Sequence, residues 1–396
     1  MSNKIISKNK QKSEQNKEKE KEKEKVQKYL NDLAWYYKNH FEWTYLHYNE
    51  KDDVTKRIIF KGGKNDLKEE VIIKLIKINN SRYEILKEPY FLSCLKNNRY
   101  FIEIVDLFPS KDCDYYTIII KDEGVDLNSL IIFYKYSKKV DYNITIPNIS
   151  RFIIFQVCCG LKILHQNGLS HNDIKLGNII ISSTCQAKIC DLGSTDINNT
   201  ISGYGTLGYY SPQAMLGKIR NMEDDMYSLG IVFLELLNVQ IGIFLKGLPN
   251  DTRENQLIYI LTNFYDISLS NGTWNENIDY TDIIKRIDEG SYEGITFRLK
   301  EKVFKSNEDK ENKELIKNLL EIDPKKRKTA EDVIKLPIFS KLKYEFENNN
   351  INMKYNEEDY NKYFNTEEFN IDTFKSYVED IRQKIHGKTL IEEELK

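Results

Sequence analysis

The pattern of apolar and polar residues changes along the chain and separates a strand-rich segment from a helical one. Between Trp35 and Ile132, short runs of Ile, Val, Tyr and Phe alternate with clusters of Asp, Asn and Gly, which is typical of strands joined by turns. This pattern predicts five strands, at residues 42–47, 55–60, 70–78, 101–107 and 115–120. One helix, predicted at about residues 81–95, interrupts them.

From about residue 140 the apolar residues follow the period of a helix. The segment at residues 149–166 is predicted to be a largely buried helix, with apolar side chains at Phe152, Phe155, Cys159 and Ile163. Further helices are predicted at residues 223–237, 253–265, 313–321 and 330–336. Thr329 is a suitable N-cap for the last of these, because Asp332 follows three residues later. The sequence thus predicts an α+β protein, in which a lobe of five strands and one helix precedes a larger, mainly helical lobe.

Composition marks off both ends of the chain from this two-lobed segment. The first 28 residues hold ten Lys and five Glu, so that they are predicted to be disordered or, at most, a solvated helix. From residue 343 onward the chain is rich in Asn, Glu and Tyr and has a net charge of −5. The predicted organisation is a charged head, a folded domain of two lobes and an acidic tail, at residues 1–33, 34–342 (lobes 34–124 and 125–342) and 343–396.

Overall charge and cysteine usage exclude several classes of protein. The net charge of the chain is −2, which argues against nucleic-acid binding, since such proteins carry a strongly basic face. None of the six cysteines has the spacing of a zinc site,. The chain starts without the apolar stretch of a secretory signal, and its most apolar long stretch is too short and too charged to span a bilayer. We therefore expect a cytoplasmic or nuclear protein without membrane partners, whose oligomeric state the sequence does not indicate.

The strongest chemical evidence is an ordered set of polar motifs in the helical segment. The run HNDIKLGN at residues 171–178 is followed by DLG at residues 191–193. Three further motifs follow: GTLGYYSPQ at residues 205–213, DMYSLG at residues 225–230, and Asp323-Pro324 with Arg327. One such motif alone is weak evidence. All five together, in this order and spacing, resemble the eukaryotic protein kinases over roughly residues 40–342.

The resemblance implies the bilobal protein-kinase fold, with a small five-stranded antiparallel lobe, and a transfer of the ATP γ-phosphate to hydroxyl groups of proteins. It implies that Asp173 accepts the proton of the substrate hydroxyl and that Lys175 stabilises the transferring phosphate. Asp191 and Asn178 are implied as oxygen ligands of Mg²⁺. Lys175, two residues after Asp173, and Thr206 match the serine/threonine type of the family rather than the tyrosine type.

In the small lobe, VIIK at residues 71–74 resembles the strand whose lysine reaches the phosphates of ATP. An ammonium among apolar residues needs an anionic partner, which makes Lys74 the candidate and leaves Lys77 as the alternative. Glu88 is the expected carboxylate partner on the helix. Pro89 belongs only in the first turn of a helix, so that either the helix starts near Glu88 or it kinks and Glu84 forms the pair.

One further candidate comes from the segment between the lobes. Asp126 matches the position of a ribose contact in the family, and the ordinary alternative is a surface residue that caps a helix at about residues 127–132,. Among the later motifs, Asp225 begins the central helix of the large lobe, and Gln213 and Arg327 take the positions of a structural ion pair.

The chain departs from the family pattern at three places. No glycine lies between the first two strands, where Glu50, Asp52 and Asp53 would repel phosphate rather than bind it,. Asn172 replaces the arginine that, in the family, binds a phosphate group on the activation segment, whose end the motif at residues 205–213 resembles. Activity is therefore not expected to depend on that phosphate. Gln213 replaces a glutamate, and restoring the glutamate is expected to stabilise the fold by pairing with Arg327. These departures support an alternative function, a pseudokinase that binds partners with weak or no phosphate transfer.

Overall fold

A computed structural model describes most of the chain between residues 45 and 340. The described ranges are residues 45–48, 57–63, 70–78, 83–109, 115–136, 142–200, 205–217, 219–238, 240–269, 273–304 and 309–340, with scattered positions in 17–28 and 358–385. Within these ranges no helix is both long enough and apolar enough to cross a bilayer. The contacts divide the chain into two compact units.

The first unit, which we call the sheet unit, comprises residues 1–96, 102–123 and 356–396. Its strands form one antiparallel sheet in the order β1-β2-β3-β5-β4. The strands are β1 (Tyr45–Tyr48), β2 (Arg57–Gly63), β3 (Glu70–Lys77), β4 (Ile104–Pro109) and β5 (Tyr115–Lys121). The run YYTIII makes β5 buried along six of its seven residues. The predicted five-stranded antiparallel lobe is therefore confirmed.

The helix of the sheet unit is shorter than predicted. It forms α1 (Lys87–Cys94), preceded by a 3₁₀ turn at Tyr83–Leu86. Pro89 lies in the first turn of α1, where its missing N–H has no partner to lose. All eight residues of α1 are buried.

Part of the C-terminal tail also packs into the sheet unit. Tyr377, Ile381 and Ile385 are buried at intervals of four residues, which places them on one face of a helix. Lys384 lies 4.9 Å from the centre of the Tyr90 ring on α1, and Lys96 donates to the carbonyl oxygen of Ile385. In the sequence, Phe374, Val378 and Ile381 are compatible with a short helix, but its packing into the sheet unit was not predicted.

The charged head is described at five positions only. All five are helical and exposed, at Lys17, Glu20, Lys21, Glu24 and Lys28. The prediction for the head as a whole, disorder or at most a solvated helix, stays a prediction.

The second unit, the helical unit, comprises residues 97–101 and 124–355. Its helices are α2 (Leu127–Tyr136), α3 (Tyr142–Gln166), α4 (Pro212–Met215), α5 (Met222–Asn238), α6 (Arg253–Phe264), α7 (Tyr280–Glu289), α8 (Lys310–Leu319) and α9 (Ala330–Ile334). Helix α5 is apolar on nearly all sides and buried from Asp224 to Leu237, which makes it the central helix. Helix α3 packs against α5 and α9, and α8 packs against α5.

Three small sheets complete the helical unit. Their strands are β6 (Val125–Asp126), β7 (Leu169–Ser170), β8 (Ile179–Ile181), β9 (Ala187–Ile189), β10 (Asp196–Ile197), β11 (Tyr265–Leu269) and β12 (Ile295–Leu299). The sheets are β6-β8-β9, β7-β10 and β11-β12. Because β8 and β9 pair with Ile179 opposite Ile189, the residues just before β8 and just after β9 lie close together. These two chain segments carry the first two motifs.

Candidate active site

Asp173 lies in the loop between β7 and β8, and both oxygens of its carboxylate are hydrogen-bonded. Lys175 Nζ donates to Oδ2 at 2.7 Å, and the hydroxyl of Thr206 donates to Oδ1 at 2.8 Å. The amide of Asn178 adds a bond to Oδ2 at 3.0 Å. The carboxylate is held in one orientation and remains 11% exposed, so that it is fixed but still accessible.

Thr206 joins the third motif to this loop. Its hydroxyl donates to Asp173 and accepts from Lys175 Nζ at 2.9 Å. A hydroxyl can do both at once, since it has one donor and two acceptor sites. The carboxylate, the ammonium and the hydroxyl thus form a closed triangle of three hydrogen bonds.

The backbone of the loop is anchored by Asp225, near the start of α5. Its carboxylate accepts the N–H groups of His171 at 2.7 Å and Asn172 at 2.8 Å. A third contact, at 3.0 Å, comes from Nε2 of His165 on α3. Burial acts to raise the pKa of Asp225, but the hydrogen bond from His165 and the nearby imidazoles outweigh it and hold the pKa below its usual value,. The ionised carboxylate is therefore the form that fixes the loop.

His171 connects the loop to the segment after β9. Its Nδ1 accepts the N–H of Asp173 at 3.2 Å, so that the ring proton lies on Nε2. Nε2 faces the carbonyl oxygen of Cys190 at 3.3 Å, to which it donates. The imidazole thus links the two motifs through one hydrogen bond at each ring nitrogen.

Asn178 and Asp191 meet at the ends of β8 and β9. The N–H of Cys190 donates to the carbonyl of Asn178 at 3.0 Å, and Asp191 follows in a left-handed conformation with φ 61°. The amide nitrogen of Asn178 donates to Asp173, which leaves its side-chain oxygen as an acceptor. One carboxylate and one amide oxygen form the kind of donor set that Mg²⁺ prefers, so that the residues fit this metal.

In the sheet unit, Lys74 and Glu88 form a buried ion pair. Lys74 lies on β3 between Ile73 and Leu75, whose side chains are in the core. A charge in such surroundings requires a carboxylate partner, and Glu88 on α1 supplies it. The side chains of the competing candidates lie outside the described residues.

Asp126 has a local role in the structure. Its Oδ1 accepts the N–H of Ser129 at 2.9 Å and its Oδ2 accepts the Ser129 hydroxyl at 2.7 Å. Both bonds fall in the first turn of α2, where free N–H groups need acceptors. This is the capping arrangement that the sequence left open beside a ribose contact. The glycine-free loop at residues 49–56 lies outside the described residues.

Gln213 and Arg327 contact each other, together with several carbonyl groups. A terminal nitrogen of Arg327 lies 3.3 Å from the Gln213 side-chain oxygen. The guanidinium also donates to the carbonyls of Glu223 at 2.7 Å and Glu321 at 2.9 Å. Backbone carbonyls therefore accept hydrogen bonds from several N–H groups of Arg327. In the family pattern a glutamate would pair with this guanidinium.

Two features of the site were not predicted from the sequence. Tyr209 donates to the buried Glu235 at 2.7 Å, and burial raises the pKa of Glu235 above its ordinary value, against the hydrogen bonds that Glu235 accepts. Arg220 is buried, and its guanidinium lies 4.2 Å from the centre of the Tyr210 ring. Arg220 and Glu235 belong to no sequence motif. Their partners are tyrosines, which are common in this chain, so that the sequence alone could not indicate either contact.

Comparison with known proteins agrees with this geometry. Residues 57–339 match the protein kinase domain. Mitogen-activated protein kinase HOG1 of Cryphonectria parasitica is 28% identical over 252 residues, which cover 61% of this chain and 63% of the relative. The mitogen-activated protein kinase sty1 of Schizosaccharomyces pombe is 31% identical over 153 residues, covering 37% and 40%.

A probable serine/threonine-protein kinase of Encephalitozoon cuniculi is 32% identical over 172 residues, covering 43% of this chain and 31% of the relative. The matched part of the chain thus spans between 31% and 63% of the length of these three relatives. The family match, in contrast, covers well over half of this chain. The chain therefore belongs to the protein kinase family.

Proposed function

We propose that this chain is an active serine/threonine protein kinase, which transfers the γ-phosphate of ATP to hydroxyl groups of a protein substrate in the cytoplasm or nucleus. The observation that carries the proposal is the fixed carboxylate of Asp173, which is bonded to Lys175, Thr206 and Asn178. Phosphate transfer depends on positioning and charge stabilisation more than on covalent chemistry. A preorganised set of charged groups is what that reaction needs.

In this reaction the oxygen of the substrate hydroxyl bonds to the γ-phosphorus of ATP. Asp173 takes the proton that this hydroxyl loses. The bond from that phosphorus to the bridging oxygen breaks, and ADP leaves. Lys175 places its ammonium beside the transferring phosphate, whose charge is spread over three oxygens. Asn178 and Asp191 would hold Mg²⁺, which neutralises charge on the phosphates.

Two residues support hydroxyls of serine and threonine as the acceptors. Lys175 occupies the position two residues after Asp173, and Thr206 bonds to both of them. The names of the relatives point in the same direction, since one is a probable serine/threonine-protein kinase and others are mitogen-activated protein kinases.

The alternative is a pseudokinase, a binding module with weak or no transfer. It is favoured by the acidic, glycine-free segment between the first two strands, with Glu50, Asp52 and Asp53. Glycine in such a loop lets backbone N–H groups approach phosphates. Catalysis depends on Asp173, Lys175 and Asp191 more directly than on that loop, which is why we prefer the active kinase.

The test combines binding and transfer. A thermal-shift titration with ATP and Mg²⁺ is run beside transfer of radiolabel from ATP to a generic protein substrate. Asp173→Asn is the control, because it removes the proton acceptor with little change of shape. We expect a saturable shift in both proteins and labelling only in the wild type.

Equal labelling by wild type and Asp173→Asn would contradict the assignment of Asp173. A saturable shift without labelling by either protein would support the pseudokinase instead. No shift and no labelling would support a module that works without nucleotide.

A further inference from the structure

The position before Asp173 holds Asn172, whose side chain is directed to the protein backbone. Its amide nitrogen donates to the carbonyl of Ser194 at 3.0 Å and lies 3.4 Å from that of Ser170. The residue has φ 67°, a conformation that asparagine adopts more readily than most residues. Asn172 therefore holds the loop to the segment after Asp191 and presents no positive charge to the activation segment.

A buried positive charge reaches this region from another part of the chain. Arg220, two residues before α5, is 3% exposed. Its backbone pairs with the activation segment, since its N–H donates to Thr200 at 2.9 Å and its carbonyl accepts from Asn199 at 3.0 Å. Its guanidinium lies 4.2 Å from the centre of the Tyr210 ring, within the range of a cation–π contact. Arg220 thus contacts the activation segment twice, through its backbone and through its guanidinium.

Gly205 shows how closely these groups approach the catalytic loop. It has φ 121°, which favours glycine. A β-carbon built there would lie 2.8 Å from the carbonyl oxygen of Asn172. It would also lie 2.7 Å from the Tyr210 ring and 3.0 Å from a terminal nitrogen of Arg220. The arginine, the ring and the loop therefore meet around one residue without room for a side chain.

This contact point is adjacent to the reaction centre. Gly205 precedes Thr206, whose hydroxyl donates to Asp173. The Tyr210 hydroxyl donates to the carbonyl of Gly205 at 3.1 Å, which closes a small ring of chain around the contact. The Arg220 guanidinium therefore lies beside the residue that precedes Thr206.

We propose that Arg220 is a positioning residue, which holds the end of the activation segment against the catalytic loop without a phosphate on that segment. Arg220, which lies just before α5, supplies the positive charge that the arginine replaced by Asn172 would supply in the family pattern. Only arginine offers both a planar group that stacks on the Tyr210 ring and several N–H donors at its edge. The inference deepens the proposed kinase function and rests on it for the kinetic effect.

The first test measures hydrogen exchange, which needs no catalysis. The N–H of Tyr209 donates to Thr206 at 2.9 Å and that of Tyr210 donates to Leu207 at 3.2 Å, so that both amides report on this segment. In Arg220→Met we expect both to exchange about tenfold faster or more, while amides of α5 stay protected. Arg220→Lys, which keeps the charge but loses the planar fork, is expected to be intermediate.

The control is Arg298 on β12, whose guanidinium lies 4.1 Å from the centre of the Trp274 ring. The contact is of the same kind, but it lies outside the site and its arginine is half-exposed. Arg298→Met should leave both amides and the kinetics unchanged. Unchanged exchange in Arg220→Met would overturn the proposal. Should this variant fail to fold, Tyr210→Leu is compared with Tyr210→Phe, because both lose the hydroxyl that bonds to Gly205 and only the phenylalanine keeps a ring beneath the guanidinium. We expect the Tyr209 amide to exchange faster in the leucine variant than in the phenylalanine variant.

The second test is kinetic and uses phosphatase-treated wild type beside untreated protein. We expect Arg220→Met to lower kcat by about 10- to 100-fold, with the KM for ATP within about twofold, because positioning of the transfer step is lost. Phosphatase treatment of the wild type should change neither kcat nor the exchange of the two amides. A loss of both on phosphatase treatment would show that a phosphate holds the segment and would overturn the proposal.

Failure of the Arg220 inference and failure of the proposed kinase function would give different results. A wild type without transfer, in which Arg220→Met still loosens the two amides, would support the positioning contact and contradict the kinase function. Transfer in the wild type, with the same kcat in Arg220→Met, would support the kinase function and contradict the inference.

Discussion

Thr206 is the residue on which the orientation of the reacting carboxylate depends most directly. Its hydroxyl donates to Asp173 and accepts from Lys175. Thr206→Val keeps the shape and removes the hydroxyl, so that we expect kcat to fall by about 10- to 100-fold with little change in the KM for ATP. Steady-state kinetics with a peptide substrate measure the effect. Thr206→Ser restores the hydroxyl and should restore most of the rate; equal rates in the serine and valine variants would contradict the role.

The expected effect of Gln213→Glu on stability reverses once the contacts of Gln213 are known. From the sequence, Gln213→Glu was expected to stabilise the protein through Arg327. In the structure the Gln213 amide nitrogen donates to the carbonyl of Ile322 at 2.8 Å and to the Tyr292 hydroxyl at 2.7 Å. Glutamate has no hydrogen to donate there, so that we expect the free energy of unfolding to fall by about 1–2 kcal/mol.

Urea denaturation of wild type, Gln213→Glu and Gln213→Met checks this expectation. The methionine variant removes all polar contacts at similar size and should be the least stable of the three. A glutamate variant more stable than wild type would mean that its charge pair with Arg327 outweighs the two lost donations.

Single residues of the site differ in how far the sequence could indicate them. Asp173, Asn178 and Asp191 stand in compact motifs, because a short loop and a tight hairpin bring them together. Glu88 could be chosen only by its position on the helix, and Glu84 stayed open until α1 was seen to begin at Lys87. Arg220 could not be found, since its role depends on Tyr210 and Gly205 being brought next to it by the fold.

Helix α9 begins with a capping box that the sequence predicted. The Thr329 hydroxyl accepts the N–H of Asp332 at 3.1 Å, and the Asp332 carboxylate accepts the N–H of Thr329 at 3.2 Å. We expect Thr329→Ala to lower the free energy of unfolding by about 1 kcal/mol near neutral pH. Thr329→Ser, which keeps the hydroxyl, should lie close to wild type; an equal loss in both variants would contradict a cap.

The stabilisation that this capping box contributes depends on pH, and its direction follows from the pKa of Asp332. The Thr329 hydroxyl, with help from its N–H and nearby lysines, holds the pKa of Asp332 below its ordinary value. The stabilisation is therefore fully present above the ordinary pKa of about 3.9 and is lost as the pH falls through the lowered one. Denaturation at a series of pH values should show the difference between wild type and Thr329→Ala shrinking at acid pH. A difference that grows at acid pH would contradict this assignment.

Helices and strands with a clear apolar period were predicted well, and irregular ones were not. The sequence placed helices at residues 223–237 and 253–265, where the structure has Met222–Asn238 and Arg253–Phe264. It placed a strand at residues 101–107, but β4 begins at Ile104, because Phe101 pairs with Ile189 in the helical unit. The pair β11 and β12 was missed, since the strands are separated by a helix and their pairing is visible only in the folded chain.

The molecule as a whole uses its C-terminal tail as part of the sheet unit. Removing residues 356–396 exposes surface that Tyr377, Ile381 and Ile385 help to bury, each worth about 1.5–3 kcal/mol as an upper estimate. We expect the shortened chain to unfold at a lower temperature. Differential scanning calorimetry of both proteins measures the change.

Two point variants separate packing from the mere length of the tail. Ile381→Ala should lower stability by about 2–5 kcal/mol, because the side chain is fully buried,. Ser376→Ala changes an exposed neighbour and should have no effect. Equal stability of the two variants would mean that the tail does not contribute to the core.

The tail also determines the order in which the protein can be completed during synthesis. Segments of a nascent chain fold as units once all of their residues have emerged. The helical unit is complete at residue 355, whereas the sheet unit, although it starts first, still waits for residues 356–396. The Lys74–Glu88 pair is therefore assembled in a unit whose buried tail residues are synthesised only after the whole helical unit.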